Sequence, residues 1–558
     1  MTSRPGDEQY NNLIIGGHEG LQANTILLTQ GIRRQGMNDK NYVIAIDSGT
    51  QSVRAIMFDQ GGNEIASEQA PHEPYFSLKP GWAEQMPRDY WLKLCQCTRG
   101  LMAKIKIDPK KISGIGITTQ RATVIPVDKD GNALRPAIIW LDLRTNASLS
   151  KLDKSIEFAA ELIGGQAEVL RYAHKNSKFM WIRQNEPEIY KKTYKFMHVS
   201  GWFVHKLTGE FKDSYAMLAG IYPFDYKTLR YFGAGMSFVY DSLGIEKGQC
   251  VDLYPPDEVL GHITSEASRA TGLPEGLPVV VGAGDKQSEL LGAGAIDPGI
   301  GVISYGTATM MEILTRNFIT GKNMNFYTWP AAIPGIWDIE LMIPRGFWMV
   351  SWFKQEFGSR EMAQAAKRGI APEVILDEVI SDIPPGSMGL MLHPYWYPTG
   401  NDSTSKGSIT GFGDVHTRAH IYRAILEGLG YELKRLSGIV EKKTGIPLTE
   451  IRVGGGGSKS DMAVQIAADI SGLPTYRMAT PETCALGAAI DAAVGTGMFD
   501  NFEDAVASMT KRGRFFEPDR ENAKIYNDLF NEVYMKMCRT MAPLNRKIAR
   551  ITGYPASE

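Results

Sequence analysis

The strongest pattern along the chain begins at Tyr42, where "YVIAIDSGTQSVRAIMFDQGGNEIASEQ" alternates β-branched or aliphatic residues with small and polar ones. A period of two, interrupted by an Asp-Ser-Gly-Thr turn and then by "DQGG", predicts a meander of three antiparallel strands rather than a helix. The same order returns near residue 300, where "IGVISYGTATMMEILTRNFITG" reads as strand, Gly-Thr turn, strand. A pattern used twice predicts two related halves facing one another. Between them, "PRDYWLKLCQCTRGLMAKI" and "SKFMWIRQNEPEIYKKTY" read as helices. In the second half, "RAHIYRAILEGLGYELKRLSGIVEKKTG" and "SDMAVQIAADISG" carry apolar residues at three- and four-residue spacing, the stripe of an amphipathic helix. Strands alternate with helices, so the expected class is α/β, each half a sheet flanked by helices. The boundary is expected between Asp285 and Gly301, with a first domain over 38–292, a second over 293–545 and a tail over 546–558.

The first 36 residues hold no sustained period, and their apolar clusters ("LII", "ILL") are too short for a signal peptide's core. Residues 1–37 are therefore expected to be an extension outside the fold, either disordered or preceding a natural start at Met37.

Composition narrows the class without naming a chemistry. A chain of 558 residues is too long for a single core. With 43% hydrophobic and 22% charged residues and a net charge of −2, it lacks the basic balance of a nucleic-acid or membrane-surface protein. Cys95, Cys97, Cys250, Cys484 and Cys538 are scattered, as reduced thiols are, and the lone Cys-x-Cys has no partners for a zinc site. No run of eighteen apolar residues occurs, and a cytoplasmic protein is the expectation.

Candidate chemistry lies in the glycine-rich segments. A tight Gly-Thr turn between strands lets backbone N–H groups point outward together, and a hydroxyl adds a donor, which suits phosphate. For "DSGT" alone a plain hairpin turn explains the residues as well. A third cluster, "RVGGGGSKSDMAVQIAAD" (452–469), sits between a short β-run and a helix, whose first turn would offer free N–H donors. It matches neither the dinucleotide fingerprint nor the Walker pattern. Asp285, alone in "GAGDKQ", reads as a turn residue or as a base for chemistry.

Together these segments resemble the FGGY carbohydrate kinases, the family of glycerol, xylulose and ribulose kinases, over nearly the whole chain from Tyr42 to Met537. "IAIDSGTQSVRA" and "ISYGTATMM" resemble the family's two phosphate loops, and "RVGGGGSKSDMAVQIAADISG" its adenosine segment. "GWAEQMPRDYW", "GITTQRATVIPVDKDG" and "IIWLDLRT" are similar to its sugar-side blocks. "GSITGFGDVHTRAHIYRAILEGLGYEL" follows the C-terminal signature apart from Phe412, and "YAHKNSKFMWIRQN" keeps only the Lys178–Trp181 core of the other. The resemblance implies two actin-like and hexokinase-like domains (ribonuclease H-like) closing over ATP, Mg²⁺ and a small ketose or polyol. It implies Asp285 as catalytic base and Asp47 as the Mg²⁺ residue. Thr50, Gln51, Ser52 and Arg54 map to the first phosphate loop, Gly306 and Thr307 to the second, and Gly456, Gly457 and Ser460 to the adenosine contacts.

On the substrate side Gln120 and Arg121 match a contacting pair, and Trp82, Glu84 and Asp142 are candidates for the sugar pocket, or else packing and turn residues. Ala122 replaces a glutamate of glycerol kinases, and Lys286 replaces the glutamine after their catalytic aspartate. The Met-His pair of xylulose kinases is absent from "TTQRAT". The expectation is a pentulose ahead of glycerol, with Lys286 donating to a carbonyl or ring oxygen unless it pairs with a nearby carboxylate. A kinase for an autoinducer-type signal and a nucleotide-sensing actin-like regulator stay open, as does a homodimer by family analogy. No nucleic acid or membrane partner is expected.

Overall fold

The computed structural model describes residues 40–146, 167–320, 326–396 and 404–554. The expected extension, including Met37, lies outside the described residues. The predicted meander forms: β1 (Tyr42–Ser48), β2 (Ser52–Asp59) and β3 (Glu64–Pro71) pair antiparallel in sequence order. β4 (Ile112–Thr119) then lies parallel to β1, with β6 (Pro278–Gly284) parallel to β4 and β5 (Val259–His262) antiparallel on the edge. The sheet order is β5-β6-β4-β1-β2-β3. β4 is buried along its whole length, as a parallel strand covered on both faces must be.

The second half repeats this plan. β7 (Ile300–Tyr305) and β8 (Thr309–Thr315) form the second Gly-Thr hairpin, extended by β9 (Tyr327–Pro330) and β10 (Trp337–Ile343). β11 (Glu450–Gly454) runs parallel to β7, β12 (Thr475–Met478) parallel to β11, and β13 (Arg512–Phe516) closes the edge. The order is β9-β10-β8-β7-β11-β12-β13. Both sheets set antiparallel strands, three in the first and four in the second, beside two parallel ones, the pseudo-repeat expected from the two hairpins. This is the actin-like α/β architecture.

Helix α1 (Pro87–Lys104) covers one face of the first sheet. In place of one helix over "SKFMWIRQNEPEIYKKTY", the chain forms α2 (Lys178–Asn185), breaks at Glu186, and resumes as α3 (Pro187–Lys192), because proline suits only the first turn of a helix. Helix α4 (Asp285–Gly292) starts at the end of β6. The amphipathic helices α5 (Arg418–Thr444) and α6 (Asp461–Ser471) pack on the second sheet. Helix α7 (Thr483–Gly495), although late in the chain, lays Ala485, Leu486, Ala489 and Ala492 against Val43, Ala45 and Val280 of the first sheet. The two halves therefore interlock. The expected tail at 546 begins inside helix α8 (Met535–Thr552), so no boundary falls there.

Candidate active site

β1 and β2 meet at Gly49–Gln51, a turn closed by the Gly49 N–H donating to the Ser52 carbonyl at 3.0 Å. Thr50 is bonded on three sides. Its hydroxyl donates to Gln120 Oε1 (2.9 Å) and accepts from Trp140 Nε1 (2.8 Å), while its carbonyl accepts from Gln85 Nε2 (3.0 Å). Gln120 also donates to the Tyr90 hydroxyl at 3.1 Å, so its amide is spent inside the protein and ties β4's end to the turn. The Ser52 hydroxyl accepts from Gln69, and Arg54 reaches across to Glu482 at 2.9 Å, just before α7. The first turn stands where a phosphate loop is expected, with the Thr50 hydroxyl and one Arg54 nitrogen engaged by protein.

Asp285 opens α4 at the mouth of β6, and its side chain is 32% exposed. Its Oδ1 accepts from the Lys286 backbone N–H (3.0 Å) and pairs with Arg121 Nε (3.2 Å). Both contacts fall on one oxygen, which leaves Oδ2 for a solute. Asp47, at the end of β1, is pushed up to about 7, first by burial and next by the negative charge of Asp285. A hard cation beside these carboxylates would reverse that shift, and oxygen donors suit Mg²⁺.

Arg121 bridges the halves. Its Nη2 pairs with Glu340 of β10 at 2.7 Å, and Glu340 lies opposite Glu312 of β8 in the ladder. Burial, then the neighbouring carboxylates, pushes Glu312 well above the usual carboxylate range and Asp338 up to about 7. Arg121 Nη1 is buried and meets no acceptor among the described residues. The Lys286 side chain is engaged by protein. Its ammonium donates to Glu289 Oε2 (2.6 Å) and the Ser304 hydroxyl (2.9 Å), the carboxylate pairing that stood as the alternative to a sugar contact.

The second turn and the glycine cluster share a cavity of about 220 Å³ lined by Gly306, Thr307, Gly456, Gly457, Phe347 and Trp348. Gly455 takes φ +78°, and a Cβ there would lie 2.9 Å from the Tyr305 nitrogen, so only glycine brings the two segments this close. Ser460 belongs elsewhere. It is fully buried, its hydroxyl accepts from the Ala463 N–H as the cap of α6, and it donates to Asp377 at 2.6 Å. Asp377 also takes the Met462 N–H, so the helix start that was expected to offer donors to a nucleotide is already capped.

Residues 42–292 match the model of the FGGY family of carbohydrate kinases, N-terminal domain, and residues 346–496 match its C-terminal domain. The sugar kinase YgcE of Escherichia coli strain K12 is 31% identical over 503 residues, covering 90% of this chain and 94% of that protein. The chain belongs to the FGGY carbohydrate kinases. The xylulose kinase of Bacillus subtilis strain 168 is 26% identical over 88% of this chain and 95% of its own. The crystal structure of xylulose kinase from Rhodospirillum rubrum superposes with a TM-score of 0.78 at 25% identity, covering 90% of this chain and all of that one.

In this kinase three residues expected at the sugar pocket serve a different purpose. The Asp142 side chain has no exposure, and its two oxygens accept from Arg144 and from the Ala83 N–H. Glu84 pairs with Arg135 and Arg144 at 2.5 and 2.6 Å. The Arg144 guanidinium packs against the rings of both Trp82 (4.0 Å) and Trp181 (4.4 Å), which meet each other edge to face. Together they make a buried ionic and aromatic clamp that holds α2, with both Asp142 oxygens and Glu84 Oε1 engaged by protein. Sequence spacing could not separate the two roles, because both require the same residues.

Trp140, whose indole meets Thr50, and Lys178, which donates to two backbone carbonyls, were not foreseen as site residues. Cys95 and Cys97 are free and buried, which pushes each thiol up to about 11 and leaves it inert. No helix among the described residues is long and apolar enough to cross a membrane.

Proposed function

We propose that this kinase transfers the terminal phosphoryl group of ATP to a terminal hydroxyl of a ketose or sugar alcohol, with a pentulose ahead of glycerol. The observation that carries the reading is Asp285, held through Oδ1 by Arg121 and the Lys286 N–H, with its side chain about one-third exposed. A sugar hydroxyl is a poor nucleophile. A carboxylate within hydrogen-bond reach accepts its proton as the bond to phosphorus forms, and the rest of catalysis is positioning and charge neutralisation. The glycine-lined cavity beside Gly306 and Gly456 fits the nucleotide, with Thr307 at its edge. Mg²⁺ bound by nucleotide phosphates and water would be held by Asp47 and would neutralise charge on the phosphates.

The preference for a pentulose rests on Ala122 and Arg121. Ala122 offers no acceptor where glycerol needs each hydroxyl gripped, and a buried hydroxyl without a partner costs about 1–3 kcal/mol. Arg121, a donor-only side chain paired with Asp285, suits the oxygen of a keto group. Lys286, committed to Glu289, no longer contributes to the preference. The test is ADP release and kcat/KM for glycerol, erythritol, the ribuloses, the xyluloses and the autoinducer precursor. A ribulose or xylulose should come first. Glycerol in first place overturns the substrate, and no ADP with any of them overturns the kinase reading.

A further inference from the structure

Val124 and Ile138 form an antiparallel bridge, the base of a fork whose two segments run on to Gln120 and to Trp140. One prong carries Gln120 and Arg121, the other Trp140. The Lys178 ammonium sits in the fork, donating to the Ala122 carbonyl at 2.6 Å and the Ile139 carbonyl at 2.8 Å. We propose that Lys178 is a positioning residue for phosphoryl transfer, its ammonium setting the spacing of the two loops that meet Thr50 and Asp285. The proposal rests on the kinase reading above.

Both prongs converge on the same group. Gln120 accepts from the Thr50 hydroxyl and Trp140 donates to it, so a change in the fork would move the first turn from both sides. Arg121, between Gln120 and Ala122, reaches Asp285 directly. Ala122 takes φ +55°, a left-handed conformation that a residue with a Cβ adopts only when its surroundings impose it. The bond from Lys178 to its carbonyl is such a constraint.

The lysine is itself fixed. It is the first residue of α2, whose cap, Ser177, accepts from the Met180 N–H and donates to the Leu243 carbonyl. One turn along, Trp181 is locked on Arg144 by the clamp of Trp82, Glu84 and Asp142. A cation at a helix N-terminus opposes the dipole. Burial lowers Lys178 to about 7, with Asp142 favouring and Arg144 opposing its charge. A neutral amine keeps two N–H groups, enough for both carbonyls, so the fork is held in either protonation state.

The experiment uses the full chain with Lys178→Met and Lys178→Ala. The Met variant should melt within a few degrees of the parent and keep affinity for a fluorescent ATP analogue. Its kcat/KM for the preferred sugar of the panel above should fall by roughly a hundredfold, the cost of a misplacement near 1 Å, while the KM for ATP holds. Amide exchange over 120–124 and 138–142 should quicken by about tenfold, with β1 unchanged. Ethylammonium should restore at least part of the transfer by Lys178→Ala. Exchange unchanged in both loops, or transfer within about threefold of the parent, overturns the proposal. So does the failure of both variants to fold, which would make Lys178 a residue of folding alone. A parent that phosphorylates none of the sugars overturns the kinase reading only, since the exchange measurement still decides whether Lys178 sets the loops.

Discussion

At Asp285 the donors fall on one oxygen, and the proposed role gives the other to the acceptor hydroxyl. Asp285→Asn keeps the shape and the bond from the Lys286 N–H but removes the proton acceptor. Its kcat should fall by about 10²–10⁴-fold with ATP affinity unchanged, measured by initial rates and nucleotide titration, and near-parent turnover would exclude the role. From its neighbours alone Asp285 reads as a turn residue or a base, because glycines surround both, and only the family resemblance separates the two. Lys286 is not legible in the sequence either. An ammonium on a flexible stem pairs with whatever carboxylate the helix places beside it, here Glu289 three residues on, and spacing alone does not say whether that pair or a substrate wins. Ser460 carries a second signal, since a serine directly before "DMAVQIAAD" marks an N-cap, and it caps α6 with Asp377 sharing the same helix start. Ser460→Ala should cost about 1 kcal/mol of stability in denaturant melts, with ATP affinity little changed. A large loss of ATP affinity at unchanged stability would return Ser460 to the nucleotide site.

Helices α4 and α7 cross at backbone contact. A Cβ on Gly487 would lie 1.9 Å from the Ser288 carbonyl oxygen, and one on Gly292 would lie 1.9 Å from that of Thr483. Neither glycine is needed for its dihedral angles. Both are needed for the absence of a side chain, and the crossing carries Asp285 at the start of α4 and Glu482 just before α7. Gly487→Leu should therefore cost at least ~2–3 kcal/mol of stability, as overpacking does, and should lower activity beyond the folded fraction by moving α4. Denaturant melts and rates corrected for folded protein would check it, and a variant of parent stability would show that the helices separate without cost. The elements were largely legible: period two marks both hairpins, and three- and four-residue spacing marks α5 and α6. What α7 packs against was not. "TCALGAAIDAAVG" is almost wholly buried, and a helix without a polar face does not tell which sheet it serves.

The two halves meet at a buried carboxyl group as well as through ion pairs such as Arg54–Glu482 and Arg121–Glu340. Asp491, on the first-sheet side of α7, is fully buried beside Gly282 of β6, where a Cβ would come within 2.2 Å of its carboxylate. Neither of its oxygens meets a donor among the described residues. Burial, then the charge of Asp257, pushes it well above the usual carboxylate range. The folded state therefore holds a proton that the unfolded chain, near 3.8, has already released. Stability falls as pH rises from about that value through the folded-state value, and the whole penalty stands above it. Asp491→Asn matches the shape without the charge. It should be more stable than the parent at pH 8, by about 1–3 kcal/mol, the scale of a buried group left unmatched, and the gap should close toward pH 4. Melts of both proteins at several pH values would decide it. A gap that does not change with pH, or a less stable Asn variant at pH 8, would mean that the carboxylate is matched by a partner when the halves close and is part of what holds them together.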